Sequence, residues 1–205
     1  MKNIWILMIG YLTGCISPAA LIGKIKNVDL KSEGTKNLGA TNTALVLGKA
    51  SGLFVMVFDI LKSVFASQVC SILFPQLSYA GMLACIGCIV GHCFPVFLHF
   101  RGGKGLASFG GMVWAYNPWF FVAIVIPGVI LMAILNTGVA VPLLACVMFP
   151  LLVFFYGNGV VDTLLAIIAS IIIVIMHWGN LKRALNRKDV VSVRNFFRKV
   201  LSKEN

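Results

Sequence analysis

Residues 105–135 read GLASFGGMVWAYNPWFFVAIVIPGVILMAIL. At 1.5 Å per residue one helix of that length would extend about 46 Å, half as long again as the ~30 Å hydrocarbon core of a bilayer. Proline lacks a backbone donor and pushes the preceding residue out of the helical region, so Asn117-Pro118 divides the run into 105–116 and 119–135. Counted as two segments, the run sets the parity of the whole chain. The remaining apolar runs occupy 3–23, 52–74, 77–98, 138–156 and 160–177, which gives seven crossings.

Charge supports that count. Lys and Arg number 17 against 6 Asp and Glu, and they concentrate in three places: 24–49, 99–104 and the tail that follows Asn180. Cytoplasmic loops carry the excess of Lys and Arg in membrane proteins. Seven crossings with the N-terminus outside put all three places, including the basic tail 182–205, on the cytoplasmic face. Six would leave the tail outside, and five would satisfy the rule with two of the segments after 105 merely interfacial. The expected fold class is therefore an all-α polytopic membrane helix bundle, one domain over 1–205, with seven transmembrane segments, one of them short. A hydrophobic content of 60% with 11% charged residues and a mean hydropathy of +0.97 exclude an ordinary soluble domain. Lys2 and the apolar residues after it resemble a signal peptide, but apolar character continues to Ile22, so this is read as a retained first span.

The segment 105–116 would be only about 18 Å long and must pack among other helices. Short helices whose N-termini point into a bundle are a common way to build an anion site at membrane depth. Three cytoplasmic constellations surround that expectation. In GTKNLGATN, residues 34–42, Gly34 and Gly39 permit converging backbone N–H groups, and Thr35, Asn37, Thr41 and Asn42 add neutral donors. In GHCFPVFLHFRGGKG, residues 91–105, Gly102, Gly103 and Gly105 flank Lys104 just before a helix start. The absence of Ser or Thr after Lys104 separates this turn from a Walker A loop. His92 in the same string reads equally as a catalytic group and as a hydrogen-bonded interfacial histidine. In HWGNLKRALNRKD, residues 177–189, His177 and Asn180 share one helix face, while at least one of Lys182 and Arg183 only follows the cytoplasmic excess of positive charge.

Asp59 and Lys62, three apart within a span, read as a structural ion pair. The six cysteines lie in apolar stretches and read as packing residues. Cys85-x-x-Cys88 lacks further ligands, and no acidic cluster offers a magnesium site, so neither metal nor cofactor is expected. The residues alone indicate a phosphate-bearing ligand and access to lipid. They leave an enzyme and a transporter of a phosphorylated solute both open, although outer loops with almost no charge favour the enzyme.

Together, ISPAALIGK (16–24), GTKNLGATN (34–42), LGKASGLFVMVFDILK (47–62), GHCFPVFLHFRGGKGLAS (91–108) and HWGNLKRAL (177–185) resemble the PlsY family of bacterial acyl-phosphate:glycerol-3-phosphate acyltransferases. The resemblance runs from Gly14 to about Asp189. It implies a seven-helix enzyme of the bacterial plasma membrane, with its site on the cytoplasmic side. Such an enzyme moves a fatty acyl group from acyl phosphate to the 1-hydroxyl of glycerol 3-phosphate in phospholipid synthesis. Its partners would be those two substrates and membrane lipid, without nucleic acid. By position it implies phosphate binding at Thr35, Lys36, Asn37, Gly39, Thr41, Asn42 and the turn Gly102, Gly103, Lys104, Gly105, and catalytic roles for His92, His177 and Asn180.

The departures from the family pattern are local. Lys36 stands where the family has glycine, Leu45 where an arginine is usual, Gly138 near a usual serine, Trp178 at a commonly basic position and Asp189 in place of glutamate. Lys36 is read as restoring the charge lost at Leu45. A diverged or non-catalytic relative is the alternative these departures raise.

Overall fold

Pro18 interrupts the first apolar run, and the fold is organised around that break. The computed structural model describes residues 1–157, 159–186, 193, 194 and 198; most of the basic tail 182–205, with Asp189, lies outside the described residues. Helix α1 covers Lys2–Gly14 and α2 covers Pro18–Ile25. Ser17 between them is extended, and its hydroxyl accepts from the Ala20 N–H at 3.2 Å, an N-cap with proline at the first helical position. The expected unbroken span 3–23 is thus two helices, because a proline there forbids helical continuation through Ser17.

The other helices are α3 Ala40–Leu47, α4 Lys49–Leu73, α5 Ala80–Cys93, α6 Leu106–Tyr116, α7 Pro118–Leu135, α8 Ala140–Tyr156 and α9 Val160–Leu185, with a 3-10 turn at Val96–Leu98. The described residues contain no strand. Among the described residues, five stretches are long and apolar enough to cross a membrane: Lys2–Ile25, Lys49–Leu73, Ala80–Leu98, Pro118–Leu135 and Val160–Leu185. Helix α8 is shorter at 17 residues, and α6 has 11. Asn117 ends α6 and caps α7, its Oδ1 accepting from the Trp119 N–H at 2.9 Å. Two boundaries differ from expectation in ways that matter to the site. Thr41 and Asn42 lie on α3 rather than in a loop, and α9 runs on to Leu185, so His177 and Asn180 sit within a helix rather than where one ends.

In lipid the hydrophobic effect does not drive helices together, and small residues that permit close approach do much of the work. Helices α1 and α5 show this along one seam. A Cβ added at Gly10 would fall 2.1 Å from the Ala84 carbonyl oxygen, and one at Gly14 would fall 2.1 Å from that of Cys88. From the opposite side, Gly87 approaches the Leu7 carbonyl and Gly91 that of Tyr11 in the same way. Glycines four residues apart on each helix therefore interlock backbone to backbone, a pattern legible as Gly10-x-x-x-Gly14 and Gly87-x-x-x-Gly91.

Breaking the chain after Gly14 frees backbone carbonyls deep in the bundle, where an unsatisfied acceptor is costly. Lys62 on α4 supplies the donors. Its Nζ donates to Gly14 O at 3.1 Å and Ile16 O at 2.9 Å, and it pairs with Asp59 Oδ1 at 2.7 Å. Both side chains are buried. His92 Nδ1 lies 3.0 Å from the same Nζ, so four groups surround an ammonium that has three N–H bonds. His92 Nδ1 is also 3.3 Å from the Asp59 oxygen, so the imidazole edge faces both members of the pair. The expected ion pair is present, but it belongs to a larger cluster that joins α1, α4 and α5.

Helices α5, α6, α8 and α9 share the main apolar core, in which Phe109 and Phe149 meet edge to face at 5.6 Å between ring centres. Helix α7 lies at the periphery, with Ile124 and Gly128 its only buried residues among those described.

Candidate functional site

The second constellation forms a turn that descends into the bundle. The Gly102 N–H donates to Cys93 O at 3.1 Å and the Gly103 N–H to His92 O at 3.0 Å, folding residues 94–103 back on the end of α5. Those two amides are thereby occupied within the protein, so these glycines serve fit rather than an open nest of donors. Gly103 admits no side chain, since its Cβ would fall 2.0 Å from His92 Nε2. Gly105 has φ +79 and starts α6, packed against Cys93, Ile89 and Ile173. The first N–H groups of α6, and the positive end of its dipole, therefore begin inside the bundle beside Lys104.

Opposite this turn, α9 presents His177, Asn180 and Arg183, three residues apart and so along one side of the helix. Lys104 Nζ donates to Asn180 Oδ1 at 2.5 Å. The guanidinium of Arg183 donates to the same oxygen. Two cations thus meet at one neutral oxygen next to a helix N-terminus, an arrangement that attracts an anion able to accept from both. Of the pair Lys182 and Arg183, at least one of which is expected to serve topology alone, Arg183 belongs to this cluster, and its three-residue spacing from Asn180 was the available signal. Lys182 faces elsewhere, its ammonium 5.6 Å from the centre of the Trp178 ring.

His177 is buried, and its Nδ1 lies 2.9 Å from Ile173 O, one turn back on α9. A carbonyl only accepts, so Nδ1 carries a proton and Nε2 is left for another partner. His92 is different. It is 7% exposed, its Nδ1 lies 3.0 Å from Lys62 Nζ and 3.3 Å from Asp59 Oδ1, and its Nε2 faces Gly103. Such a group supports the turn; direct contact with a ligand would require the turn to move.

The first constellation is held by Asn42, which is fully buried. Its Oδ1 accepts from the Thr35 N–H at 2.5 Å and its Nδ2 donates to Leu30 O at 2.9 Å. Asn42, expected among the phosphate donors, instead ties the 30–35 loop to α3, with both ends of its amide in use. Gly34, at φ +58, passes so close that a Cβ would lie 2.4 Å from Asn42 Oδ1. Gly39 caps α3, and its Cβ would approach Asn37 Nδ2 at 3.0 Å. Thr35 and Asn37 are half-buried, whereas Lys36 and Thr41 are exposed. Lys36 adopts φ +57, the left-handed region that costs a residue with a Cβ roughly 1–2 kcal/mol. Leu45 is half-buried on α3, and Gly138 lies in the turn between α7 and α8. Lys31 Nζ donates to Leu98 O at 3.1 Å, joining this loop to the 94–105 turn. All three constellations therefore lie at one end of the bundle, the second and third in direct contact.

Between α8 and α9 lies an apolar cleft of about 730 Å³, lined by Cys146, Pro150, Ile167, Ser170, Ile171 and Val174 among others. Ser170, Val174 and His177 recur at helical spacing along one stripe of α9.

Residues 4–187 match the family model described as Glycerol-3-phosphate acyltransferase. The glycerol-3-phosphate acyltransferase of Lactiplantibacillus plantarum is 34% identical over 190 residues, which covers 91% of this chain and 90% of that protein. The enzyme of the same description from Macrococcus caseolyticus is 33% identical over 194 residues, covering 91% and 95%. Among solved structures, the crystal structure of PlsY (YgiH), an integral membrane glycerol 3-phosphate acyltransferase, superposes in its glycerol 3-phosphate form with a TM-score of 0.85 at 28% identity, covering 92% of this chain and 94% of that one. Its lysophosphatidic acid form gives 0.83 at 27% identity.

Proposed function

Because this chain belongs to the glycerol-3-phosphate acyltransferase family, we propose that it transfers a fatty acyl group from acyl phosphate to the 1-hydroxyl of glycerol 3-phosphate, giving lysophosphatidic acid and inorganic phosphate. The observation that carries the site assignment is the convergence of Lys104 and Arg183 on Asn180 beside the start of α6. Acyl phosphate is a mixed anhydride and already activated. Catalysis then consists mainly of placing two phosphates and stabilising the charge that moves between them. The 1-hydroxyl oxygen bonds to the acyl carbon as the bond from that carbon to the phosphate oxygen breaks. The electron pair leaves with phosphate, and so does the hydroxyl proton in net terms. Lys104, Arg183 and the α6 N-terminus bear the phosphate charge, and the Thr35–Thr41 segment faces the second phosphate. His177 Nε2 and Asn180 orient the acceptor.

The chain is read as a seven-crossing protein of a bacterial plasma membrane, with the N-terminus outside and the site on the cytoplasmic face. The basic segments at one end of the bundle and the sparse charge of the opposite loops support that orientation. The acyl chain is assigned to the α8–α9 cleft, since the Ser170–Val174–His177 stripe leads from the cleft to the site. Replacing Ile171 by Trp shortens that cleft. Activity with palmitoyl phosphate should fall at least about fivefold relative to lauroyl phosphate, and an unchanged ratio removes the cleft from the account. The transferase itself is tested by phosphate release that requires both substrates. Release without glycerol 3-phosphate would point to a hydrolase.

A further inference from the structure

The cluster of Asp59, Lys62 and His92 lies beneath the phosphate site without belonging to it. Lys62 is held by the carbonyls of Gly14 and Ile16 and by Asp59, and His92 Nδ1 lies 3.0 Å from Lys62 Nζ and 3.3 Å from Asp59 Oδ1. These contacts fix the position and ring orientation of His92. The other edge of that ring, Nε2, lies where a Cβ of Gly103 would be, 2.0 Å away, while the His92 carbonyl accepts from the Gly103 N–H at 3.0 Å. Gly103 thus rests on His92 by both side chain and backbone, and Lys104 is the next residue.

A buried ion pair is weak support for stability, because desolvating two charges offsets most of their attraction. Within a bundle that small apolar residues hold together, this pair is better accounted for by the orientation it enforces. We propose that Asp59 and Lys62 are positioning residues for the transfer: acting through His92, they hold the Gly103–Lys104 turn at the height where Lys104 Nζ meets Asn180. The proposal rests on the assignment of Lys104 to the phosphate site. It also gives His92 a supporting role rather than a catalytic one.

The test uses the full-length protein in detergent, with the neutral double variant Asp59→Asn/Lys62→Met and, separately, His92→Gln, which keeps the ion pair. Each is measured in the wild-type and Lys104→Ala backgrounds, per folded molecule as judged by size exclusion. A displacement of about 1 Å in a phosphate-holding group costs up to about a hundredfold. The double variant should therefore lose at least about tenfold in kcat/KM with Lys104 present and less than about twofold with Lys104 replaced. Equal losses in both backgrounds, or wild-type kcat/KM in folded protein, overturn the proposal. A second readout stands apart from activity. Hydrogen exchange at Gly102 and Gly103, whose amides donate to Cys93 and His92, should quicken at least about tenfold in both variants. Unchanged exchange overturns the proposal even where the wild type proves inactive, while an inactive wild type with quickened exchange contradicts only the transferase reading. If the double variant does not fold, His92→Gln decides by the same criteria.

Discussion

The α1–α5 seam and the α7 flank are both apolar helix surfaces carrying glycine, yet their packing differs in kind. At Gly10, Gly14, Gly87 and Gly91 the backbones of two helices touch, and a methyl group would lie within about 2.1–2.5 Å of a carbonyl oxygen. At Gly128 on α7 the nearest atoms to an added Cβ are those of Val141, all at 3.7 Å, an ordinary contact distance. The seam fixes distances and the flank does not. The Lys62 cluster and His92 both attach to the seam, so the turn that carries Lys104 is registered to the rigid side of the bundle. The α7 flank is largely exposed apolar surface and sets no comparable distance.

One substitution made in both regions breaks this comparison most directly. Gly14→Ala forces α1 away from α5 and carries the Gly14 carbonyl off Lys62. It should destabilise the folded protein by about 2 kcal/mol or more, seen as a fall in thermal midpoint and in yield of monodisperse protein. Asn42→Ala comes next. It leaves the Thr35 N–H and the Leu30 carbonyl without their partner and should cost about 1–3 kcal/mol, with faster proteolysis of the 30–39 loop as the local readout. Lys36→Gly relieves a left-handed residue. Its midpoint should hold or rise by the equivalent of less than about 1 kcal/mol, while the KM for a phosphorylated substrate increases. An unchanged KM would remove Lys36 as compensation for Leu45. The smallest effect is expected at the flank: Gly128→Ala should leave the midpoint unchanged or raise it by at most about 1 kcal/mol through helix propensity. A loss there comparable to that of Gly14→Ala would dissolve the distinction between the two regions.

Much of this arrangement was legible in the sequence, in the places where local chemistry decides. Asn117-Pro118 marks a helix boundary because proline constrains its predecessor, and the glycines around Lys104 mark a turn against close neighbours. Ser17-Pro18 carried the same signal inside an apolar run, and its hydrophobic surroundings masked it. The roles of His92 and Asn42 were not legible. Each depends on partners distant in sequence: His92 on Lys62, 30 residues away, on Asp59 and on Gly103; Asn42 on Leu30 and Thr35. Polar residues in a motif identify a site, whereas burial decides which of them face the ligand. Arg183 shows the converse: the sequence did not separate it from Lys182, and α9 extends far enough to carry Arg183 to Asn180.

The central claim is that Lys104, set against Asn180 and Arg183, holds a phosphate that the reaction needs. Purified protein in detergent, given palmitoyl phosphate and glycerol 3-phosphate, tests it by release of inorganic phosphate from wild type and Lys104→Ala. Losing a charge-assisted contact of about 1.5–3 kcal/mol corresponds to roughly ten- to hundredfold. The account predicts acceptor-dependent release by the wild type, reduced at least tenfold in the variant with its thermal midpoint retained. Wild-type release from folded Lys104→Ala would contradict it.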